Sequence, residues 1–218
     1  RWYRPGDLFR VKVLGMWPTE PEDQLIPLSW VEAAHERWKA KPKPDGPLRL
    51  GVDVAGMGAD LTVFCRRRGA VVTGFATYAR ADHMTTVGRI VAELRAHEGA
   101  TALVDTIGEG AGVHSRLIEQ GAKSVSVKFS ESAKYLRDLT GQRTFANMRA
   151  YCYWAVRDAL DPRLGATLAL PELDELTQDL TGIRWSINSQ GHIVLEPKEQ
   201  IRERLGRSPD YGDALANT

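Results

Sequence analysis

Between positions 48 and 54 apolar and polar residues alternate, with Leu48, Leu50, Val52 and Val54 on one side and Arg49, Gly51 and Asp53 on the other, the two-residue period of a strand. The same pattern predicts a strand over 60–67, a turn at Arg68-Gly69 and a strand over 70–78. The period then lengthens. Met84, Val87, Ile90, Val91 and Leu94 recur at helical spacing behind Asp82, which predicts a helix over 82–97 with Asp82 as its cap. A strand over 101–105, a helix from about 111 to 120 and a strand from about 124 to 128 follow. Residues 145–160 read as a further helix, with Met148, Cys152, Ala155, Val156 and Ala159 on one face, and with Tyr151, Tyr153 and Trp154 widening that face as core. Apolar stretches at 183–187 and 192–195 flank Asn188-Ser189-Gln190-Gly191, a hairpin pattern. A hairpin that small needs support, so it is expected to pack against the sheet with its tip near the cleft. Acids and bases alternate over 196–207, as in a solvated, ion-paired helix.

Three adjoining strands followed by alternating helices and strands describe an α/β chain with a mixed central sheet flanked by helices and an added β-hairpin. Antiparallel hairpin strands followed by parallel crossovers are the pattern of the ribonuclease H-like fold. Upstream, residues 1–47 are rich in Pro and hold one short helical pattern over 29–39 with Ser29 as cap; 41–47 read as a linker. The expected division is therefore a linker segment at 1–47 and a compact domain at 48–218.

Composition narrows the function classes. A chain of 218 residues, 43% hydrophobic and 26% charged, can bury one substantial core. No apolar run approaches the roughly 20 residues that span a bilayer, and Arg1-Trp2-Tyr3-Arg4-Pro5 lacks the apolar region of a secretory signal. Cys65 and Cys152 are too few for a disulfide framework or a thiolate zinc site, which suits a reducing cytoplasm. A net charge of +1 means that any nucleic-acid surface must come from local clustering. The chain contains no Gly-Lys dipeptide and so no Walker A loop, and no ATPase activity is expected of it. Gly56-Met57-Gly58 does not complete a dinucleotide-binding turn, and strands follow it instead of a helix. The absence of an initiator Met and the end at Asn217-Thr218 lead to the expectation of a fragment of a longer protein.

The candidate chemistry lies in acids at strand ends. Asp53 closes the first strand before Ala55-Gly56-Met57-Gly58-Ala59, with Gly51 expected to leave open space beside it. Asp105 closes the strand before Ile107-Gly108-Glu109-Gly110-Ala111-Gly112, and Asp210 and Asp213 follow Gly206-Arg207-Ser208-Pro209. If such acids converge, each pair about 4 Å apart costs roughly 4 kcal/mol at an effective dielectric near 20. A cluster of that kind persists by taking up protons or binding cations, and oxygen ligands suit hard divalent ions. Lys198, Arg204 and Arg207 lie just upstream of the third acid and are candidates to face DNA. Asp60 and Glu109 are lesser candidates as ligands, read as turn or surface residues.

Taken together, these motifs resemble the carboxy-terminal nuclease half of the large terminase subunit of tailed bacteriophages, the DNA-packaging motor. The resemblance runs from Phe9 almost to Leu215. Phe9-Arg10-Val11-Lys12-Val13-Leu14-Gly15 and Leu25-Ile26-Pro27-Leu28-Ser29-Trp30-Val31 look like the stretch joining ATPase to nuclease. Gly51-Val52-Asp53-Val54-Ala55-Gly56 with Gly58 and Asp60 looks like the first nuclease motif. Asp105 with Gly108, Gly110 and Gly112-Val113 looks like the second, and Lys198 through Asp213-Ala214-Leu215 like the third. Leu14-Gly15-Met16-Trp17-Pro18 departs from the shorter aromatic-Pro pattern, which touches the linker and not the chemistry.

The resemblance implies metal-dependent endonucleolytic cleavage of concatemeric double-stranded viral DNA during packaging. Asp53, Asp105 and Asp213 are then the metal-binding acids, Asp53 bridging two Mg2+ or Mn2+ ions, with Asp210 one helical turn from Asp213 as an outer ligand. Implied partners are double-stranded DNA, the ATPase domain of the full-length chain, the portal protein and the small terminase subunit, in the cytoplasm of an infected host and without a membrane. Two alternatives remain open on the residues alone: an actin-like or sugar-kinase-type phosphotransferase, and a non-catalytic module that docks DNA or the portal.

Overall fold

The computed structural model describes residues 21–56 and 60–218. The stretch from Phe9 to Gly15, the Trp17-Pro18 pattern, and Met57, Gly58 and Ala59 of the first turn lie outside the described residues. Five strands form one sheet: β1 (Leu48–Asp53), β2 (Leu61–Arg68), β3 (Val71–Ala79), β4 (Thr101–Asp105) and β5 (Ser124–Val127), in the order β3-β2-β1-β4-β5. The β1–β2 and β2–β3 pairs are antiparallel, and the β1–β4 and β4–β5 pairs are parallel. The mixed sheet expected from the alternation is therefore present, with every strand boundary within one residue of its predicted place.

Helices cover both faces. They are α1 (Leu28–Lys39), α2 (His83–Ala96), α3 (Gly110–Glu119), α4 (Met148–Leu160), α5 (Asp174–Gly182), α6 (Lys198–Leu205) and α7 (Asp210–Ala216). Because strand side chains alternate, Leu50, Val52 and Phe64 point into one cluster with Val87, Ile90, Val113 and Leu117 of α2 and α3. Val63 and Cys65 point the other way, into a cluster with α4, α5 and α7. Asp82 caps α2 as expected, accepting from the Thr85 backbone N–H at 2.8 Å.

Four expectations need correction. The packed unit starts well before Leu48, because Leu25, Ile26, Val31 and Ala34 are buried in the α4–α5 cluster. The first helix begins at Leu28 with Pro27, φ −60°, at its N-cap, so the ring-fixed dihedral of proline sets the start one residue ahead of Ser29. The helix over 145–160 starts at Met148, capped by Asn147, whose side chain accepts from Ala150 N–H at 3.0 Å; Phe145 before it stays extended and bridges to Ile193. The hairpin of β6 (Trp185–Ile187) and β7 (Ile193–Leu195) forms its own two-stranded sheet. It rests on α4, where Trp185 meets Trp154 edge-on at 5.2 Å, and on the strand-like segment at 144–146. Helix α5 had no separate expectation; it is short and has no side-chain cap, so its stability comes from burying Leu176 and Leu180.

Candidate functional site

Strand register brings the first two acids together. Val52 pairs with Val104 in the parallel β1–β4 ladder, so the next residues, Asp53 and Asp105, leave the sheet side by side at its carboxyl edge. Asp105 is held by the backbone N–H of Ile107, which donates to its Oδ1 at 3.1 Å. Helix α3 begins hard against this strand end. A Cβ on Gly110 would lie 1.8 Å from the Asp105 carbonyl oxygen, so only glycine admits the approach.

Asp213 and Asp210 arrive on α7, which crosses the face of β1 and β2. Gly51 does not leave open space beside Asp53. The Ala214 carbonyl oxygen would lie 2.0 Å from a Cβ at that position, so the gap is filled by the backbone of α7 itself. Asn217 fixes the end of the helix, donating from Nδ2 to the Val52 carbonyl at 3.1 Å. The helix that carries the third acid is thus docked on the two residues that precede the first.

All four acids are buried: Asp53 is 8% exposed, Asp105 9%, Asp210 8% and Asp213 0%. Burial pushes the Asp53 carboxyl well above the usual carboxylate range; Lys198 opposes the shift, and the charges of Asp213, Asp210 and Asp105 reinforce it. Burial likewise raises Asp105 against the Ile107 N–H, and raises Asp210 against the Leu61 N–H, which donates to its Oδ2 at 3.3 Å. For Lys198 burial works downward, yet Asp213 and Asp53 hold its ammonium above the ordinary lysine value.

Asp213 is fully partnered on one side. Its Oδ1 accepts from the Tyr153 hydroxyl at 2.7 Å, with Arg149 Nε 3.9 Å away. Its Oδ2 is buried, lacks a directed hydrogen bond, and is balanced by the Lys198 ammonium at 2.7 Å. Among the described residues no three His, Cys, Asp or Glu side chains already stand at ion-holding spacing. The donor set is nevertheless all oxygen, its repulsion is only partly relieved, and a cationic side chain already stands in for positive charge. These residues fit a hard divalent ion.

The other candidates lie elsewhere. Arg204 pairs with Glu196, and Arg207 pairs with Asp179 at 2.7 Å while donating to the Ser208 and Glu175 carbonyls. Asp60 pairs with Arg202 at 3.5 Å, and Glu109 with His83 at 2.5 Å. From the sequence Tyr153 reads only as core, and Asp179, Arg149 and Asn217 have no assigned role. Asp179 was visible in principle: it shares the buried side of α5 with Leu176 and Leu180, a carboxylate at a position the spacing reserves for an apolar residue. Its Oδ2 accepts from Gly212 N–H at 3.0 Å, and burial pushes its carboxyl up to about 7 against that bond and Arg207. Tyr153→Phe removes one buried hydrogen bond to an acid and is expected to cost about 1–3 kcal/mol in urea unfolding of the metal-free chain. An unchanged midpoint would show that the hydroxyl does not hold α7.

No family model matches the sequence, and no curated protein matches it. Solved structures do. The nuclease domain of the large terminase subunit of bacterial virus Sf6 aligns with a TM-score of 0.74 at 25% identity, covering 88% of this chain and 96% of that one. A single-residue mutant of the Sf6 domain, solved with manganese and beta-thujaplicinol, gives a TM-score of 0.73 at 26% identity over 88% and 96% of the two chains. The large terminase nuclease from thermophilic phage G20c with bound magnesium matches in fold, with a TM-score of 0.51 at 16% identity over 80% of this chain and 82% of that one. The mixed five-stranded sheet with its flanking helices is therefore ribonuclease H-like, and the chain resembles, over most of its length, the nuclease domain of bacteriophage large terminase subunits.

Proposed function

We propose that this chain is a metal-dependent endonuclease that cuts double-stranded viral DNA during genome packaging. The observation that carries the reading is the meeting of Asp53 and Asp105, from adjacent parallel strand ends, with Asp213 from α7 in a buried, mutually repelling cluster. Support for the metal comes from the Sf6 and G20c nuclease structures, which hold manganese and magnesium. Asp53, Asp105 and Asp213 would hold two Mg2+ or Mn2+ ions, with Asp210 behind them. When bound, such ions supply an activated water and stabilise the leaving 3′-oxygen of the phosphodiester.

The chain's own groups set the geometry. Tyr153 holds one oxygen of Asp213 and leaves the other turned toward the cluster. Asp210 is anchored by Leu61 N–H and adds negative charge from the next turn of the helix. Lys198 neutralises the acids while no metal is present and must give up Asp213 to it. Lys198→Ala is expected to lower the melting temperature of the metal-free chain and to enlarge the increase produced by Mn2+; an Mn2+ response equal to the parent's would remove Lys198 from the ion's place.

The decisive experiment is cleavage of supercoiled plasmid with Mn2+, Mg2+ or EDTA, without ATP. Nicking and linearisation in metal, none in EDTA, are expected, whereas duplex binding without any cleavage would favour the docking module. The upstream ATPase domain, the portal protein and the small subunit belong to this reading as partners of the full-length chain, in the host cytoplasm. Among the described residues no helix is long and apolar enough to cross a membrane.

A further inference from the structure

The cations nearest the third acid are already matched: Lys198 by Asp213, Arg204 by Glu196 and Arg207 by Asp179. A different set is exposed and, among the described residues, in no ion pair. Lys128, Lys134 and Arg137 lie on the segment 128–143, which also displays Tyr135, 72% exposed, and Leu139, 76% exposed. This segment leaves β5 at the site itself. Val127 pairs with Asp105 and accepts from Thr106 N–H at 3.1 Å, and the backbone N–H of Phe129 faces the Asp105 carboxylate.

The segment is also firmly held, so its exposed side chains are presented by a fixed base. Phe129, Ala133 and Phe145 are buried, Leu136 packs on the same core, and Arg149 N–H donates to the Phe129 carbonyl at 3.1 Å. Asp138 closes the turn at its tip, accepting from Gln142 N–H and Arg143 N–H at 2.9 Å each. Its four cations, Lys128, Lys134, Arg137 and Arg143, outnumber its two acids, Glu131 and Asp138, and Asp138 is consumed by the turn. Unpaired cations beside solvent-facing ring and leucine side chains complement a nucleic-acid surface, phosphates for the charges and sugar or groove walls for the apolar groups.

We propose that residues 128–143 form the arm that grips duplex DNA beside the acids, with Lys128, Lys134 and Arg137 on the phosphates and Tyr135 and Leu139 against the sugars. The inference rests on the nuclease reading and specifies where its substrate lies. It predicts that the Lys134→Glu/Arg137→Glu double variant binds a fluorescent duplex in EDTA about ten-fold or more weakly, with the slope of log affinity against log salt reduced by about 1.8, two phosphate contacts at roughly 0.9 each. Tyr135→Ala/Leu139→Ala is expected to weaken binding and leave that slope unchanged. The Mn2+-induced rise in melting temperature should match the parent's in both, showing the acids intact. Unchanged affinity and slope in the charge-reversed variant overturn the proposal, as does a loss confined to the Tyr135/Leu139 variant, which would give the tip to a protein partner. A parent that binds duplex through this arm but never nicks plasmid in Mn2+ would instead sink the nuclease reading alone.

Discussion

Asp53→Asn is expected to lower Mn2+-dependent plasmid cleavage by about three orders of magnitude or more, the equivalent of roughly 4 kcal/mol of lost transition-state stabilisation. Asp105→Asn and Asp213→Asn should do the same. Their effects on the metal-free fold differ, however, because the structure gives the three acids different neighbours. Asp53 is buried beside three other carboxylates with Lys198 alone opposing them, so its amide should leave stability unchanged or higher. Asp213 is held by Tyr153 and Lys198, so Asp213→Asn takes from the ammonium its direct ion-pair partner and should destabilise the chain. The pH dependence has a definite sign. The folded-state proton affinity of Asp53 lies above that of the unfolded chain, so its contribution favours folding at low pH and is lost as pH rises from the ordinary value of 3.8 through the raised one. Urea titrations in EDTA across that range should show the decline in the parent and a shallower one in Asp53→Asn. Cleavage retained by the variant would take Asp53 out of the site.

Gly51→Ala should be nearly as damaging, although it alters neither charge nor polarity. The added methyl meets the Ala214 carbonyl oxygen at 2.0 Å and the Thr218 Cγ2 at 2.7 Å, and the first of these is backbone that cannot turn aside. Helix α7 must lift from β1, breaking the bond from Asn217 to the Val52 carbonyl and displacing Asp213 from its partners. Overpacking of this kind costs about 1–3 kcal/mol or more. A misplacement of about 1 Å at a catalytic group costs roughly a hundred-fold in rate. The check is cleavage beside a thermal melt. A variant that melts and cuts like the parent would mean that α7 does not need this approach.

Much of this was legible in the chain because the relevant signals are local. Alternation at 48–54 and 101–105 reports strands that end in an acid, and the parallel crossover between them is enough to put Asp53 beside Asp105. What the chain hid was every contact with a long sequence separation. Tyr153 reads as one more aromatic on an apolar helix face, and nothing nearby says that its hydroxyl ends on Asp213. Lys198 and Arg207 look like part of a basic run open to DNA, whereas their acids, Asp213 and Asp179, come from α7 and α5 and appear only once those helices are folded together. Gly51 was read as space for the same reason: the group that occupies the space lies 163 positions further along, at Ala214.

That separation also sets when the site can come into being. All five strands of the central sheet are complete by Val127, and a chain emerging from the ribosome can pair them before Asp213 has been made. Such an intermediate carries Asp53 and Asp105 on a finished sheet with neither the third acid nor the lysine that balances it. On the nuclease reading, the docking of that last helix would arm the protein, and a partly synthesised chain would hold a scaffold for the chemistry without its catalyst.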